Sequence, residues 1–354
     1  MKSSFCVAED RKSCEPCLKL LLLSLRRHIP DTSVSLFYPP ATGQFIEWMK
    51  KCPQVQLQAK PLKNGYGWNV KPQAIMHLFD EGYDEVIWID SDVIVNRDLL
   101  PVFSNLPGDT VVVTEHTLSE ERYDGDALRA RLWGLVPGRS LPFGLSSGVV
   151  RVTKENYGLM ERWWELLQSE PYQQAQRIPW QQRQIHMLGD QDVLTALLTS
   201  KEFAHVPIHI LRRGKHIIQF DGVYGYTLAE RLRNLLGDGP SFVHSGAGKP
   251  WSEGWELERD GLVREYIKKV YLDISPYTLS AIRFKDELGC KTDWMEPHFA
   301  LSRLLRTLGI WHAPLVGLPM AVFADLARLA KQIRRLGQRN GRKMGPGRPS
   351  VEIG

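Results

Sequence analysis

Residues 86–95 read Val-Ile-Trp-Ile-Asp-Ser-Asp-Val-Ile-Val, and this stretch sets the tightest limit on what the chain can fold into. Four β-branched or aromatic residues run directly into Asp90-Ser91-Asp92, and three more apolar residues follow. Such a run predicts a strand buried on both faces of a parallel sheet. Two carboxylates at the end of that strand are costly unless something compensates them. In open α/β sheets the carboxyl ends of the strands face the ligand crevice. A divalent cation is the compensation that carboxylate oxygens favour, which makes Asp90 and Asp92 candidate metal ligands.

The segments around this strand repeat one alternation. Strands are predicted at 4–8, 33–38 and 55–58, separated by a helix that starts near Pro16 and another over 44–51. This β-α-β-α-β opening predicts an α/β fold with a mostly parallel central sheet flanked by helices. A helix over 72–79 leads into the central strand, and a further strand is expected at 111–114. Residues 115–145 read as a long excursion suited to acceptor recognition. A strand over 145–152, a helix over 154–167 and a Gln-rich mobile segment over 168–186 come next. Gly189-Asp190-Gln191-Asp192 then opens a helix to about residue 198. Short strands are expected within 203–211, 216–220 and 241–243.

Charge is unevenly placed. Residues 326–354 hold eight Lys or Arg and one acid, a net of +7, against +5 for all 354 residues. Residues 1–325 therefore sum to −2, and a nucleic-acid-binding body is not indicated. The five cysteines, Cys6, Cys14, Cys17, Cys52 and Cys290, are odd in number and scattered, unlike a disulfide framework. The first ten residues lack the apolar core of a secretory signal, and a cytoplasmic protein is expected.

Several motifs in order resemble glycosyltransferase family 8, retaining enzymes of the GT-A fold that include bacterial lipopolysaccharide galactosyl- and glucosyltransferases. The resemblance runs from about residue 4 to 251 as separate landmarks. Cys6-Val-Ala-Glu-Asp10 matches the end of the first strand, which implies Ala8 and Asp10 as nucleoside contacts. Asp90-Ser91-Asp92 matches the family's Asp-x-Asp metal motif, in which a divalent ion bridges two phosphates. Ser146-Ser147-Gly148 stands where the family commonly has Asn-Ala-Gly, so Ser146 replaces the residue that touches the donor sugar. Asp190-Gln191-Asp192 matches Asp-Gln-Asp, which implies Asp190 as a sugar contact and Gln191 beside the reacting carbon. A helix start capped by Asp190 is the structural alternative. His244-Ser-Gly-Ala-Gly-Lys249-Pro-Trp251 resembles the family's His, Gly, Lys-Pro-Trp pattern, one residue shorter from His to Lys. It implies His244 as third metal ligand, with Gly246, Gly248 and Lys249 on the diphosphate. Lys71-Pro72 resembles a basic residue that contacts the diphosphate in related transferases.

The resemblance implies a metal-dependent hexosyltransferase that uses Mn2+ or Mg2+ and a nucleotide-diphosphate sugar such as a UDP-sugar. Its acceptor would be a glycan or a lipid-linked glycan. Two other readings stay open. A haloacid-dehalogenase-type phosphatase also pairs an apolar strand with Asp-x-Asp, but it needs an acid four residues after a later Gly-Asp, and Leu194 stands there. A catalytically inactive, membrane-peripheral protein that binds nucleotide sugars is the other.

Residues 307–324 carry no charge, but Pro314, Pro319, Gly309, Gly317 and His312 interrupt them. Beyond, Val322, Leu326, Leu329, Ile333 and Leu336 form a stripe at 4-3-4-3 spacing, with Arg328, Lys331, Arg334 and Arg335 on the other side. This pattern fits a helix lying on an anionic bilayer at the inner face of the cytoplasmic membrane. It fits equally a helix packed on the body through that stripe. The expected organisation is a catalytic domain over 1–275, a helical and membrane-associating segment over 276–336, and a basic disordered tail over 337–354.

Overall fold

The computed structural model describes residues 2–59, 62, 67–98, 100–116, 127–219, 225–237, 239–246, 249–252, 262–310 and 313–343. Its strands are β1 (Ser3–Ala8), β2 (Val34–Phe37), β3 (Val55–Leu57), β4 (Glu85–Ile89), β5 (Val93–Val95), β6 (Val111–Glu115), β7 (Leu145–Thr153), β8 (Ile208–Leu211), β9 (Ile217–Gln219) and β10 (Phe242–His244). Seven of them form a central sheet in the order β3-β2-β1-β4-β7-β6-β8. Only β7 runs against its neighbours; the other pairings are parallel. The architecture is the expected one, a mostly parallel sheet flanked by helices. The chain adds β2 and β3 on one side of β1 and returns to place β4 on the other, so the order reverses between β1 and β4. That switch point is where a crevice opens at the carboxyl ends of the strands.

The central run differs from the expected single strand. Asp90 N donates to Gly148 O at 2.9 Å as the last rung beside β7, and Val93 N then donates to Asp90 O at 3.1 Å. β5 leaves for a second sheet of order β5-β10-β9, in which Val93 lies opposite His244. Three polar residues cannot extend a ladder buried on both faces, so the chain turns and carries them to the sheet's end. Both halves of the run are fully buried, which is why the apolar pattern reads as one strand.

Helix α1 (Glu15–His28) buries Leu18, Leu20, Leu21, Leu22, Leu23 and Leu25. Such a helix, apolar almost all round, must be covered on every side. It packs against β5, where Ser24 Oγ accepts from Val95 N at 3.0 Å. On the sheet's other face lie α2 (Lys71–Asp80), α3 (Tyr157–Gln168) and α4 (Asp190–Thr199), with α3 packed on both others around Trp163 and Trp88. The Gln-rich stretch expected to be mobile contains a helix, Glu170–Gln176, and short 3-10 turns. Arg183 ties it down, donating to the carbonyls of Gln176, Ile178 and Leu188 at 3.0 Å.

Beyond β9 the chain is largely helical: α5 (Leu228–Leu235), α6 (Leu262–Asp273), α7 (Ala300–Thr307) and α8 (Leu318–Lys343). A small core of Val270, Ile274, Leu305 and Val316 joins this region. Helix α8 continues past residue 336 to Lys343, and 344–354 lie outside the described residues. It buries Ala321 and Ala324, while Val322, Phe323, Leu326 and Leu329 are 37, 68, 61 and 53% exposed. Val322, Leu326 and Leu329 of the stripe therefore face outward, not onto the body. Among the described residues no helix is long and apolar enough to cross a membrane.

Candidate active site

Parallel β1, β4 and β6 deliver their carboxyl ends, and antiparallel β7 its amino end, to one side of the sheet. A cleft of about 560 Å³ opens there, within the range of ligand pockets. Asp90, Asp92, His244, Asp190 and Gln191 line it, and Ala8, Asp10, Lys71, Ser146, Gly246 and Lys249 complete the predicted set around it. Gly248 lies outside the described residues.

One ligand atom each from Asp90, Asp92 and His244 falls within a common 4.8 Å. His244 Nε2 is 3.1 Å from Asp92 Oδ1 and 3.9 Å from Asp90 Oδ2. The β5–β10 pairing produces this approach, because Val93 immediately follows Asp92 and sits opposite His244. Gly148 makes room for the ring: a Cβ there would meet His244 Cε1 at 3.0 Å and Nδ1 at 3.1 Å. Among the described residues Nδ1 has no hydrogen-bond partner, so strand pairing, contact with Gly148 and the approach of Nε2 to Asp92 position the ring. Trp88 Nε1 donates to Asp90 Oδ1 at 2.7 Å. Two hard carboxylates and an imidazole suit a divalent cation such as manganese.

Positive charge surrounds these acids. Lys249 Nζ bonds Asp92 Oδ2 and the carbonyl of Ser245, and reaches Gly246 O at 3.3 Å. Burial alone raises the Asp92 pKa, but Lys249 and His244 hold it well below the usual carboxylate range. Burial likewise lowers Lys249 and His244, yet Asp92 outweighs it and raises both. Lys71 Nζ lies between two of the acids, 3.0 Å from Asp90 Oδ1 and 3.3 Å from Asp190 Oδ2, and donates to Ser147 Oγ at 2.7 Å. Burial lowers Lys71 while the two carboxylates raise it, with a net rise.

Asp190 faces inward. Ser147 Oγ donates to its Oδ2 at 2.6 Å, and burial keeps its pKa raised despite Lys71. The helix-start bond is made instead by Asp192, whose Oδ2 accepts from Gly189 N at 3.2 Å. Burial pushes the Asp192 pKa up to about 6, against the opposing charge of Arg129, whose Nε donates to its Oδ1 at 2.8 Å. With Asp192 serving the helix, the Asp190 carboxylate is left to the cleft. The Gln191 amide nitrogen lies 2.8 Å from His116 Nε2.

Next to the cleft a smaller, mostly apolar recess of about 150 Å³ is lined by Ala8, Phe37, Tyr38, Pro39, Leu62 and Val70. Asp10 borders both spaces and accepts from Gly67 N through Oδ2 at 2.9 Å.

Sequence reasoning passed over Ser147, His116, Arg129 and Trp180, which also build or line this site. Ser147 sits inside the Ser-Ser-Gly motif, and His116 follows β6 as Asp90 follows β4. The strand-end rule applied to every strand would have found His116. Arg129 sits in a short helix, Leu128–Leu132, and Trp180 opens a 3-10 turn, inside stretches whose sequence carries no strand-end or motif signal.

No protein-family model matches the chain, and no match is found among curated proteins. Among solved structures it is similar to the galactosyltransferase LgtC in complex with donor and acceptor sugar analogues, at 16% identity over 81% of this chain and 95% of that one, with a TM-score of 0.47. It is also similar to a glycosyltransferase involved in glycosylation of the major capsid of PBCV-1, at 13% identity over 70% and 95%, with a TM-score of 0.40. A third is the bifunctional glycosyltransferase WbbM, at 12% identity over 81% and 51%, with a TM-score of 0.46. What the cleft can do is read from its own geometry.

Proposed function

We propose that this protein is a metal-dependent glycosyltransferase that moves a hexose from a nucleotide-diphosphate sugar, in the first instance a UDP-hexose, to a glycan or lipid-linked acceptor with retention. The observation that carries this reading is the convergence of Asp90, Asp92 and His244 with Lys71 and Lys249 beside Asp190 and Gln191 in one cleft. A nucleobase fits the apolar recess, with Asp10 at its polar rim. The diphosphate then lies toward the metal ligands, and the sugar toward Asp190.

A divalent cation held by Asp90, Asp92 and His244 supplies neutralisation of the charge that develops on the departing diphosphate. The chain adds its own cations there. Lys249, which bonds Asp92 in the structure, is close enough to exchange that partner for a phosphate oxygen. Gly246 gives the backbone close access to the same group. Asp190, fixed by Ser147 and Lys71, accepts from sugar hydroxyls and orients the ring. Among the described residues every carboxylate lining the cleft already has a hydrogen-bond or ion-pair partner, and none is left uncommitted to serve as a covalent nucleophile. Same-face attack follows, with the leaving phosphate taking the acceptor's proton and Gln191 beside the carbocation-like centre.

A cytoplasmic protein peripheral to an anionic bilayer completes the reading. It is supported by the outward apolar face of α8 and by the +7 of residues 326–354. The catalytic part is tested by a panel of UDP- and GDP-sugars with manganese or chelator, following nucleotide release. Release from at least one donor in manganese alone is expected. Binding without release would favour the inactive binding protein, and full activity in chelator would refute the metal-dependent reading.

A further inference from the structure

Resting on the glycosyltransferase reading, we propose that His116 is a positioning residue: it holds the Gln191 amide in the orientation that offers its oxygen to the donor sugar. Both partners are rigidly mounted. His116 directly follows β6, and its N–H donates to Gly144 O at 3.0 Å, which ties it to the chain entering β7. Gln191 stands in the first turn of α4, where its carbonyl accepts from Thr195 Oγ1 at 2.8 Å. The same Thr195 hydroxyl accepts from Leu145 N at 3.2 Å, fixing the helix start to β7.

Between these mounts the Gln191 amide nitrogen meets His116 Nε2 at 2.8 Å. An amide nitrogen only donates, so Nε2 is the acceptor and the ring is neutral at that atom. This choice fixes the other end of the amide. One N–H is used on the ring, and the amide oxygen has no hydrogen-bond partner among the described residues. Both side chains line the cleft that holds Asp190 and Ser146.

The orientation matters for the chemistry proposed. As the sugar–phosphate bond breaks, positive charge grows on the anomeric carbon and ring oxygen. An amide oxygen nearby stabilises that charge, while an NH2 in the same place opposes it. A glutamine free to rotate presents either end. His116 removes the wrong one without touching the sugar, so its effect passes through Gln191 and belongs to turnover, not to nucleotide binding.

The test uses the full-length protein with manganese and UDP-glucose or UDP-galactose, following UDP release to water, so no acceptor need be known. His116→Ala is expected to lower kcat about 10-fold or more while donor KM moves less than about threefold. Gln191→Ala is expected to lower kcat at least as far. The double variant should be no slower than Gln191→Ala alone, because the histidine has nothing left to position. His116→Gln, which can accept through its own amide oxygen, should recover part of the rate and supplies a second variant if the alanine form folds poorly. Multiplying losses in the double variant, or His116→Ala and His116→Gln both at the unmodified rate, would overturn the role while leaving the enzyme reading intact. Failure of the unmodified protein to release UDP from either donor would overturn both.

Discussion

Replacing Lys71 by methionine removes the ammonium shared by Asp90 and Asp190 while keeping most of the side chain's volume. The Lys71 side chain is 3% exposed and its ammonium lies 3.0 and 3.3 Å from the two carboxylates. Breaking a buried pair by deleting one partner costs roughly 3–5 kcal/mol when the remaining charge cannot be neutralised. Here it can be neutralised, by protonation of Asp190. Burial already raises the Asp190 pKa against the pull of Lys71, and the variant raises it further. A carboxyl whose folded pKa is raised contributes fully below its unfolded value and loses that contribution as pH rises through the folded one. The two carboxylates raise the Lys71 pKa above the ordinary lysine range, so its own titration adds nothing near neutrality. The loss caused by Lys71→Met should therefore be about 1 kcal/mol near pH 4.5, where lost hydrogen bonds dominate, and grow to roughly 3–5 kcal/mol by pH 8. Urea unfolding in chelator at pH 4.5, 6 and 8 measures this. An equal loss at all three values, or none at pH 8, would refute the shared-counterion argument.

Two further outcomes are expected. Asp192 gives up its proton near pH 6 instead of 3.8, so the fold loses stability as pH rises through that window. The interval of about 2 pH units corresponds to ~3 kcal/mol. Asp192→Asn should flatten this part of the stability–pH profile relative to the unmodified protein, and parallel profiles would contradict it. At the other end of the molecule, Phe323→Asp with Leu326→Asp should abolish salt-sensitive flotation on phosphatidylglycerol vesicles and leave the melting temperature within a few degrees. Equal flotation of the variant would sink the bilayer reading.

Much of the sheet is legible in the sequence because each parallel strand is a short, continuous apolar run closed by turn residues. The break at Asp90-Ser91-Asp92 is not. Val93, Ile94 and Val95 are as buried as the residues of β4, and burial in a second sheet leaves the same apolar signature as burial in the first. Yet that break sets Val93 against His244, and so brings an imidazole 152 positions downstream of Asp92 to within 3.1 Å of it. The motifs name the residues that meet in the cleft but not the contacts that fix them. Ser147 bridging Lys71 and Asp190, and His116 against Gln191, depend on how strands of opposite direction align. Helix α8 is legible as amphipathic, but the side that meets the body is not. Ala321 and Ala324 make the close approach, and small residues carry little weight in an apolar pattern.

The central claim is that one cation site joins the acids of the β4–β5 turn to the imidazole of β10. Crystals soaked in manganese chloride and UDP, with data collected at the manganese edge, test it directly. The account predicts an anomalous peak bonded to Asp90, Asp92 and His244 and shared with the diphosphate. UDP bound in the cleft with manganese absent or held elsewhere would contradict it.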